Sequence, residues 1–351
     1  MTTASVSGAP GHRDRHRELM AFGVFVAVAI GLLVWAKWWP YSIKIPKAAD
    51  THTLGTSILT GQSAAPPDFS LTAGLEFART YFLSIWPALL AGLFIGAAVT
   101  VLVPKAWLLR ALAKDGRAST LRGGLLSIPT MMCTCCTAPV AVGLRKRGAS
   151  IGASIAFWLG NPALNPAVLA LSFFVLGWKW TALRAAAGVL LILGVAAVTR
   201  YGSGVHGPTV ATDDPETGPL SLRFGRAFGG MALRLLPEYL LLVVALGALR
   251  GPLFSGGIGL RAGVLAAVVF AVAGALLPIP TAGEIPVVAA LLILGVSAPV
   301  AAALLITLPA ISVPSLVMVR RAFPAKVLAT TTAAVIAMGL LTAAGAAVIG
   351  L

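Results

Sequence analysis

Residues 123–147 of this 351-residue chain read GGLLSIPTMMCTCCTAPVAVGLRKR. The stretch is apolar, contains two prolines, and ends in the basic cluster Arg145-Lys146-Arg147. Loops rich in Lys and Arg stay in the cytoplasm when a chain crosses a membrane. An ordinary span over 123–144 would place the cluster outside, so the sequence favours a re-entrant hairpin that enters and leaves from the cytoplasmic side.

The composition shows that the chain does belong in a membrane. Hydrophobic residues make up 58% of it, 38 further residues are Gly, and only 11% are charged. A soluble domain carries about 25% charged residues. This excludes a soluble enzyme, a disordered chain and a disulfide scaffold. The basic residues behind the net charge of +15 then indicate which loops lie in the cytoplasm. Because no basic domain is present, we expect no nucleic-acid partner. The expected partners are the lipid bilayer and a small-molecule substrate.

Seven apolar segments are near the length of about 20 residues that a bilayer requires. We interpret the first as an uncleaved helix followed by a polar external loop over 40–72. The predicted fold is an all-α polytopic membrane protein with about seven transmembrane helices plus two re-entrant hairpins. The second hairpin would lie in 260–294, which also has the length for two spans. The seven predicted spans are 19–39, 81–103, 151–177, 183–198, 235–249, 298–319 and 327–349.

Charge placement predicts a multi-pass protein of the cell inner (plasma) membrane with a cytoplasmic N-terminus. Threading the chain in this way puts 17 of the 26 basic residues in the cytoplasm and one, Arg234, inside a helix. The remaining eight fall outside: Lys37, Lys44, Lys47, Arg79, Lys179, Arg184, Arg250 and Arg261.

The two halves of the chain show an internal repeat at an offset of 147 residues. In the predicted threading the halves have opposite orientations, and inverted repeats with broken segments are typical of transporters. Matched prolines indicate two hairpins broken at Pro129 and Pro139 and at Pro280 and Pro286. The matched pairs are Pro139/Pro286, Gly148/Gly295, Ser150/Ser297, Pro162/Pro309 and Ala163/Ala310. The predicted regions are an N-terminal helix with its loop (1–74), a first repeat (75–200), a cytoplasmic linker (201–226) and a second repeat (227–351).

Five sulfur-containing side chains occupy six positions of the first hairpin: Met131, Met132, Cys133, Cys135 and Cys136. Thiolates and thioethers are soft ligands that prefer thiophilic metals and metalloids. The three cysteines are therefore candidates for binding a soft metal or metalloid, with the methionines as further substrate contacts. Two other interpretations stay open, namely cysteines that only pack as small apolar residues and a redox pair.

Other candidate residues are polar groups in apolar surroundings. Asn161 and Asn165 are four residues apart, which would put both amides on one helical face. The amides would then either form a polar wall of a cavity or donate hydrogen bonds to the carbonyl groups that the neighbouring prolines leave free. Glu284 lies in the second hairpin, and buried acids usually mark pathways or proton relays, so we predict proton coupling there. For Glu238 we expect an interfacial ion pair with Arg234.

At these residues the chain resembles the ArsP-type predicted permease family, whose characterised members export trivalent organoarsenicals. The resemblance runs from about Leu75 to the C-terminus and leaves out the first helix and loop. One departure concerns the hairpin, because this chain has Cys133-Thr134-Cys135-Cys136-Thr137 where the family often has Cys-Ser-Cys-Gly. The shared residues are Pro139, Gly148, Ser150, Ala156, Phe157, Pro162, Asn165, Pro166, Pro286, Gly295, Ser297, Pro309 and Pro314.

The resemblance implies a secondary active permease, not an enzyme, that exports a thiophilic solute, with trivalent organoarsenicals as the favoured substrate. The chain has no Gly-x-x-x-x-Gly-Lys-Ser/Thr motif for ATP, so no nucleotide and no other cofactor is expected. The alternatives are a membrane thiol-disulfide oxidoreductase and a channel or carrier for a small sulfur compound or other polar solute.

Overall fold

The computed structural model of the protein describes residues 12–60, 67–103, 105–114, 116–202, 219–258 and 262–351, and all regular structure in them is helical. Two π-helical segments (Val34–Trp38 and Leu109–Ala113) and a 3₁₀ turn (Ile128–Thr130) connect some of the α-helices. The α-helices in these ranges are α1 (His12–Leu33), α2 (Trp39–Thr51), α3 (Leu71–Leu102), α4 (Lys105–Leu108), α5 (Arg117–Ser127), α6 (Thr134–Lys146), α7 (Ile151–Ala163), α8 (Pro166–Leu176), α9 (Trp178–Gly202), α10 (Leu220–Ile258), α11 (Val264–Leu276), α12 (Glu284–Ile293), α13 (Ala298–Ala310), α14 (Val313–Val319) and α15 (Ala325–Val348).

The described ranges contain seven helical segments long and apolar enough to cross a membrane, which confirms an all-helical, multi-pass membrane protein. They are Phe22–Thr51, Leu71–Leu102, Ile151–Leu176, Trp178–Val195, Leu220–Gly251, Ala298–Val319 and Ala325–Val348.

Two predicted boundaries were wrong because polar residues at helix ends were taken as loop. The expected loop over 40–72 is helical as far as Thr51. Pro40 lies in the first turn of α2, directly after the π-helical turn, and proline is tolerated in the first turn of a helix. Helix α3 begins ten residues before the predicted span, with Ser70 as its cap. The end of the predicted linker, from Leu220, is the first part of α10, and residues 203–218 lie outside the described residues.

Both predicted hairpins are broken pairs of short helices. Residues 128–133, which include the 3₁₀ turn, separate α5 from α6, and residues 277–283 separate α11 from α12. Each of these helices has 10 to 13 residues, which corresponds to roughly 15–20 Å and is shorter than the ~30 Å hydrocarbon layer. Entry and exit on one membrane face stay predictions.

Two of the apolar spans are also broken, which corrects the prediction that Asn161 and Asn165 share one helical face. Helix α7 ends at Ala163, and Asn165 is the N-cap of α8. In the second half α13 ends at Ala310, and Ser312 caps α14. The breaks occur because each second helix begins with a proline in its first turn, which cannot donate to a preceding carbonyl.

The packing of these helices follows the same pattern in both halves. Helix α5 packs on α7 and α9, and α11 packs on α13 and α15. Contacts between the halves are reciprocal, because α6 packs on α14 and α12 packs on α8. The two breaks are thereby brought to the middle of the molecule, next to the two broken spans.

Three basic residues counted as external are buried and hydrogen-bonded within the protein. Lys37, Arg184 and Arg250 are 6%, 0% and 6% exposed. Arg250 donates to the carbonyl oxygens of Leu59 and Ala73 at 3.1 and 2.7 Å. Such side chains satisfy interior groups, so their charge does not by itself mark the side of a loop.

Candidate functional site

A small cavity lies where the two breaks meet the two broken spans. Its volume of about 10 Å³ is room for roughly one water molecule. In this conformation the cavity is therefore closed to any larger solute. It is lined by Cys133 of the first break, by Ile279, Pro280, Thr281, Ala282 and Glu284 of the second, and by Pro162, Val168 and Pro309 of the broken spans.

The backbone of the first break is fixed by side chains from distant helices. Met131 takes a left-handed conformation with φ of 50°, which turns the chain before Cys133. The Asn161 amide accepts a hydrogen bond from the Met132 N–H at 2.7 Å and donates to the Thr130 hydroxyl. The Trp38 indole donates to the carbonyl of Pro129 at 2.9 Å. The break is thus a defined structure, held by α7 and by the first span.

The three cysteines are buried and free, and their side chains make different contacts. The sulfur atoms of Cys133 and Cys136 are 2.9 Å apart, at the start of α6. The Cys135 sulfur instead lies 3.6 Å from the Tyr81 hydroxyl and 3.7 Å from that of Ser312. Cys133 and Cys136 are close enough to bind one soft atom together, whereas Cys135 interacts with Cys133 and also contacts the two hydroxyl groups.

The predicted ligand set of five sulfur atoms is not assembled. Met132 is 1% exposed within the main core, and Met131 packs in a smaller cluster with Tyr41. Nowhere in the described ranges do three His, Cys, Asp or Glu side chains form a group that could hold a metal ion. A three-thiol metal site therefore does not exist in this conformation, and the Cys133–Cys136 pair is the candidate that remains.

Glycines hold the cysteine-bearing helix directly against α3. A Cβ atom at Gly92 would collide with the carbonyl oxygen of Cys136, and one at Gly96 would approach the backbone of Pro139 to 2.6 Å. Such close backbone contacts need small residues, as is usual between helices in membranes. The sequence Gly92-Leu-Phe-Ile-Gly96 therefore sets the position of the thiols.

Glu284 is the first residue of α12 and forms a buried ion pair. Its Oε1 lies 2.6 Å from Nη2 of Arg184, and the two side chains are 1% and 0% exposed. Neither carboxylate oxygen has an aligned hydrogen-bond donor among the described residues. The contact is an ion pair across the interface of the two halves, which the sequence analysis did not anticipate.

Arg184 is also bound to the broken spans. Its guanidinium donates to the carbonyl oxygen of Pro162 at 2.9 Å and to that of Leu305 at 3.2 Å. These carbonyls lie four residues before Pro166 and Pro309, which cannot donate the usual helical bond. One side chain therefore satisfies acceptors from both halves and positions Glu284 at the cavity.

The first span contributes a cation to the site. Lys37 Nζ donates to the hydroxyl of Thr281, a cavity-lining residue, at 2.8 Å and lies 5.9 Å from the centre of the Tyr41 ring. It also acts electrostatically on Cys133 and Cys136. A lone lysine in an otherwise apolar run is the signal that could have identified it.

The remaining predicted residues serve the backbone of the breaks. The Asn165 side chain accepts from the N–H groups of Ala167 and Val168, and its own amide nitrogen is buried without a hydrogen bond. Pro139 lies inside α6, and Pro286 in the first turn of α12.

Glu238 pairs with Arg320 and Arg321, at 2.9 and 3.1 Å, instead of with the predicted Arg234.

Comparison with known proteins identifies the family. Residues 71–203 match the model of the ArsP-type family, described as a predicted permease. The UPF0718 protein YraQ of Escherichia coli (strain K12) is 43% identical over 324 residues, which are 91% of this chain and 92% of YraQ. The chain belongs to the ArsP-type predicted permease family. The UPF0718 protein YcgR of Bacillus subtilis (strain 168) is 27% identical over 113 residues, covering 31% of this chain and 38% of YcgR. No solved structure matches significantly.

Membership of the ArsP-type family, together with the seven apolar spans, makes the protein a multi-pass membrane transporter. The region matched by the family model contains the cysteines, both asparagines and Arg184. Glu284, which lines the cavity, and Lys37, which contacts the cavity-lining Thr281, both lie outside it. The candidate site is therefore built from three parts of the chain, of which the family model covers one.

Proposed function

We propose that this permease is a secondary active exporter of thiophilic solutes, with trivalent organoarsenicals as the favoured substrate. It would act in the cell inner membrane with its N-terminus in the cytoplasm. The observation that carries the proposal is the pair of thiols, Cys133 and Cys136, 2.9 Å apart beside a cavity between two helix breaks. Soft sulfur ligands in this place suit trivalent arsenic.

Binding at the thiol pair is a ligand exchange without redox change. In an arsonous acid, R–As(OH)₂, each cysteine sulfur forms a bond to arsenic and replaces one hydroxyl. The hydroxyl leaves as water with the proton of the thiol. Release is the reverse reaction with water, so the substrate would leave unchanged on the other side of the membrane.

Alternating access would arise from two inverted repeats that move against each other. Matched backbone features support the repeat. Ser150 and Ser297 both precede the first residue of a helix, as N-caps of α7 and α13, and Gly148 and Gly295 both have positive φ, of 101° and 81°. The cavity would be the closed middle state, which opens to either side in turn.

Glu284 is our candidate for proton coupling. As a carboxylate it attracts Arg184, which holds carbonyl groups of both halves. Protonation would remove this attraction and loosen the contact between the halves. Proton binding would in that way be linked to the opening of the cavity.

Transport into everted membrane vesicles tests the thiol site. We expect uptake of phenylarsine oxide by wild type, loss of most uptake in Cys133→Ser and Cys136→Ser, and retention of most uptake in Cys135→Ser, the matched control. Resistance of cells to the same compound should follow the same order. Full uptake with both Cys133 and Cys136 replaced would overturn the site.

The coupling role has a separate test. The variant Glu284→Gln should still bind phenylarsine oxide, but its transport rate should no longer depend on pH. Because Gln is isosteric and uncharged, expression and unfolding temperature are measured alongside. A pH dependence equal to that of wild type would place coupling at another residue.

The predicted orientation is tested by labelling single cysteines in a Cys-free background. We expect Lys146→Cys, which replaces the exposed last residue of α6, to react with an impermeant maleimide only from the cytoplasmic side. Lys179→Cys should react only from outside. Labelling of position 146 from outside would contradict the re-entrant hairpin.

A thiol-disulfide oxidoreductase is the second candidate, and the short distance between Cys133 and Cys136 is the observation that favours it. These two residues have Cys-x-x-Cys spacing at a helix N-terminus, an arrangement typical of redox-active pairs. A mixed disulfide between a Cys136→Ser variant and a thioredoxin-like partner would support this candidate. Efficient arsenical transport without such a species supports the exporter.

A further inference from the structure

Lys37 is a buried cation without a carboxylate partner in the part of the chain that the structure describes. Its side chain is 6% exposed, and its hydrogen bond goes to the neutral hydroxyl of Thr281. An ammonium group has three N–H donors. A charge in such a place is costly unless an opposite charge compensates it, so it normally marks a pathway or a binding site.

The other charged groups at the site do not compensate Lys37. Glu284 is the acid that lines the cavity, and Arg184 already pairs with it at 2.6 Å. Tyr41, Cys133, Cys136 and Lys44 are further titratable groups that interact with the lysine. Among the ionic side chains here, Lys37 and Arg184 are two cations beside the single carboxylate of Glu284.

Beside the carboxylate of Glu284, the groups around the cavity include several hydrogen-bond donors that are not fully used. Lys37 has N–H groups to spare, and the Nε of Arg184 is buried without a hydrogen bond. Thr281 and the two thiols can donate as well. Unused donors on two cations that share one carboxylate are suited to an anionic ligand.

We propose that the cavity selects solutes that carry a negative charge, and that Lys37 of the first span is the residue that recognises this charge. The inference rests on the proposed function, because the same thiol pair would bind the soft atom. The substrate class is then a small anion with a thiophilic or soft centre, such as an arsenical with a carboxylate or a thio-oxyanion. The first span is thereby part of the substrate site, although the family model begins after it.

Two arsenicals that differ only in charge test this selectivity. Phenylarsine oxide is neutral, and its 4-carboxy derivative carries one negative charge at pH 7. Binding to the purified full-length protein is followed as the ligand-dependent rise in unfolding temperature, measured by tryptophan fluorescence. We expect wild type to bind the carboxylated compound at least about tenfold more tightly, an effect of about 1.4 kcal/mol.

The variants Lys37→Met and Lys37→Arg separate charge recognition from folding. Lys37→Met should lose the preference for the carboxylated compound while still binding the neutral one, and Lys37→Arg should keep the preference. Lys44→Met, which removes an exposed lysine two turns further along the same span, is the control and should behave as wild type. An equal loss for both compounds in Lys37→Met would mean that the lysine acts on the thiols, and would overturn the proposal.

Thiosulfate distinguishes this proposal from the organoarsenical one. If wild type binds thiosulfate in a Lys37-dependent manner but neither arsenical, anion recognition is supported and the arsenical substrate is wrong. If wild type binds both arsenicals equally well, the exporter stands and anion selection is wrong. Binding of none of the three probes contradicts both.

Discussion

The two helix breaks share a backbone design but differ in chemistry. The first break precedes α6 and presents thiols, with Cys133 at the N-cap. The second precedes α12 and presents a carboxylate, with Glu284 at the first helical position. Both breaks contain a non-glycine residue with positive φ, Met131 and Ala282. The difference teaches that the candidate site combines soft thiol groups from one break with a charged carboxylate from the other. Two breaks with identical side chains would not provide both kinds of group.

The breaks also differ in how they are held. The first is bound by neutral hydrogen bonds from Asn161 and Trp38. The second is held by charged groups, through Lys37 on Thr281 and Arg184 on Glu284. The charged contacts are therefore candidates for change during transport, whereas the neutral ones fix the geometry of the thiols.

The largest effect is expected from breaking the buried ion pair. Arg184→Met leaves Glu284 buried without its cation and two carbonyls without a donor, so the free energy of unfolding should fall by about 3–5 kcal/mol. Unfolding by SDS, followed by tryptophan fluorescence, measures the change. Lys179→Met on the same helix is the control, and a loss in Arg184→Met no larger than in this control would contradict the role of the pair.

The next effect concerns the contact between α3 and α6. Gly92→Ala introduces a methyl group against the carbonyl of Cys136, and we expect a loss of about 1–3 kcal/mol in unfolding free energy together with slower reaction of the thiols with phenylarsine oxide. Gly31→Ala has open space around the new methyl group and should not be destabilised. Equal behaviour of the two variants would show that α6 is free to shift.

The next prediction is that replacing Asn161 destabilises the protein more than replacing Asn165. Asn161→Ala leaves the Met132 N–H without its acceptor and should cost about 1–3 kcal/mol. Asn165→Ser keeps an oxygen that can cap α8, as Ser312 caps α14, so its cost should be below about 1 kcal/mol. Thermal unfolding in detergent gives both values. The reverse order would mean that Asn165, not Asn161, supports the site.

The sequence was sufficient for the spans and for the location of the breaks, because apolar length and proline positions are local properties. It was also sufficient to place the cysteines at a break. It did not predict that Lys37 contacts Thr281, since the two residues are 244 positions apart. The sequence likewise placed Arg184 outside the membrane, because a basic residue at the start of an apolar run resembles a charge that flanks a membrane span. Its acidic partner, Glu284, is 100 positions away in the sequence.

The smallest effect is expected at the surface. Glu238 is 33% exposed and pairs with two arginines that are each 51% exposed. Glu238→Gln should therefore change the unfolding free energy by no more than about 1 kcal/mol, because solvent screens exposed pairs. A loss as large as that of Arg184→Met in the same SDS titration would show that this contact also holds the two halves together.

The central claim is that the two breaks enclose one substrate site, and a cross-link across the cavity tests it most directly. Cys133 and Thr281 both line the cavity, so Thr281→Cys in a Cys135→Ser, Cys136→Ser background should form a disulfide with Cys133 under mild oxidation. Mass spectrometry of non-reduced peptides detects the bond, and phenylarsine oxide added beforehand should prevent it. Thr307→Cys, a buried position on α13 outside the cavity lining, is the control. A cross-link at position 281 that forms no faster than at position 307 would contradict the account.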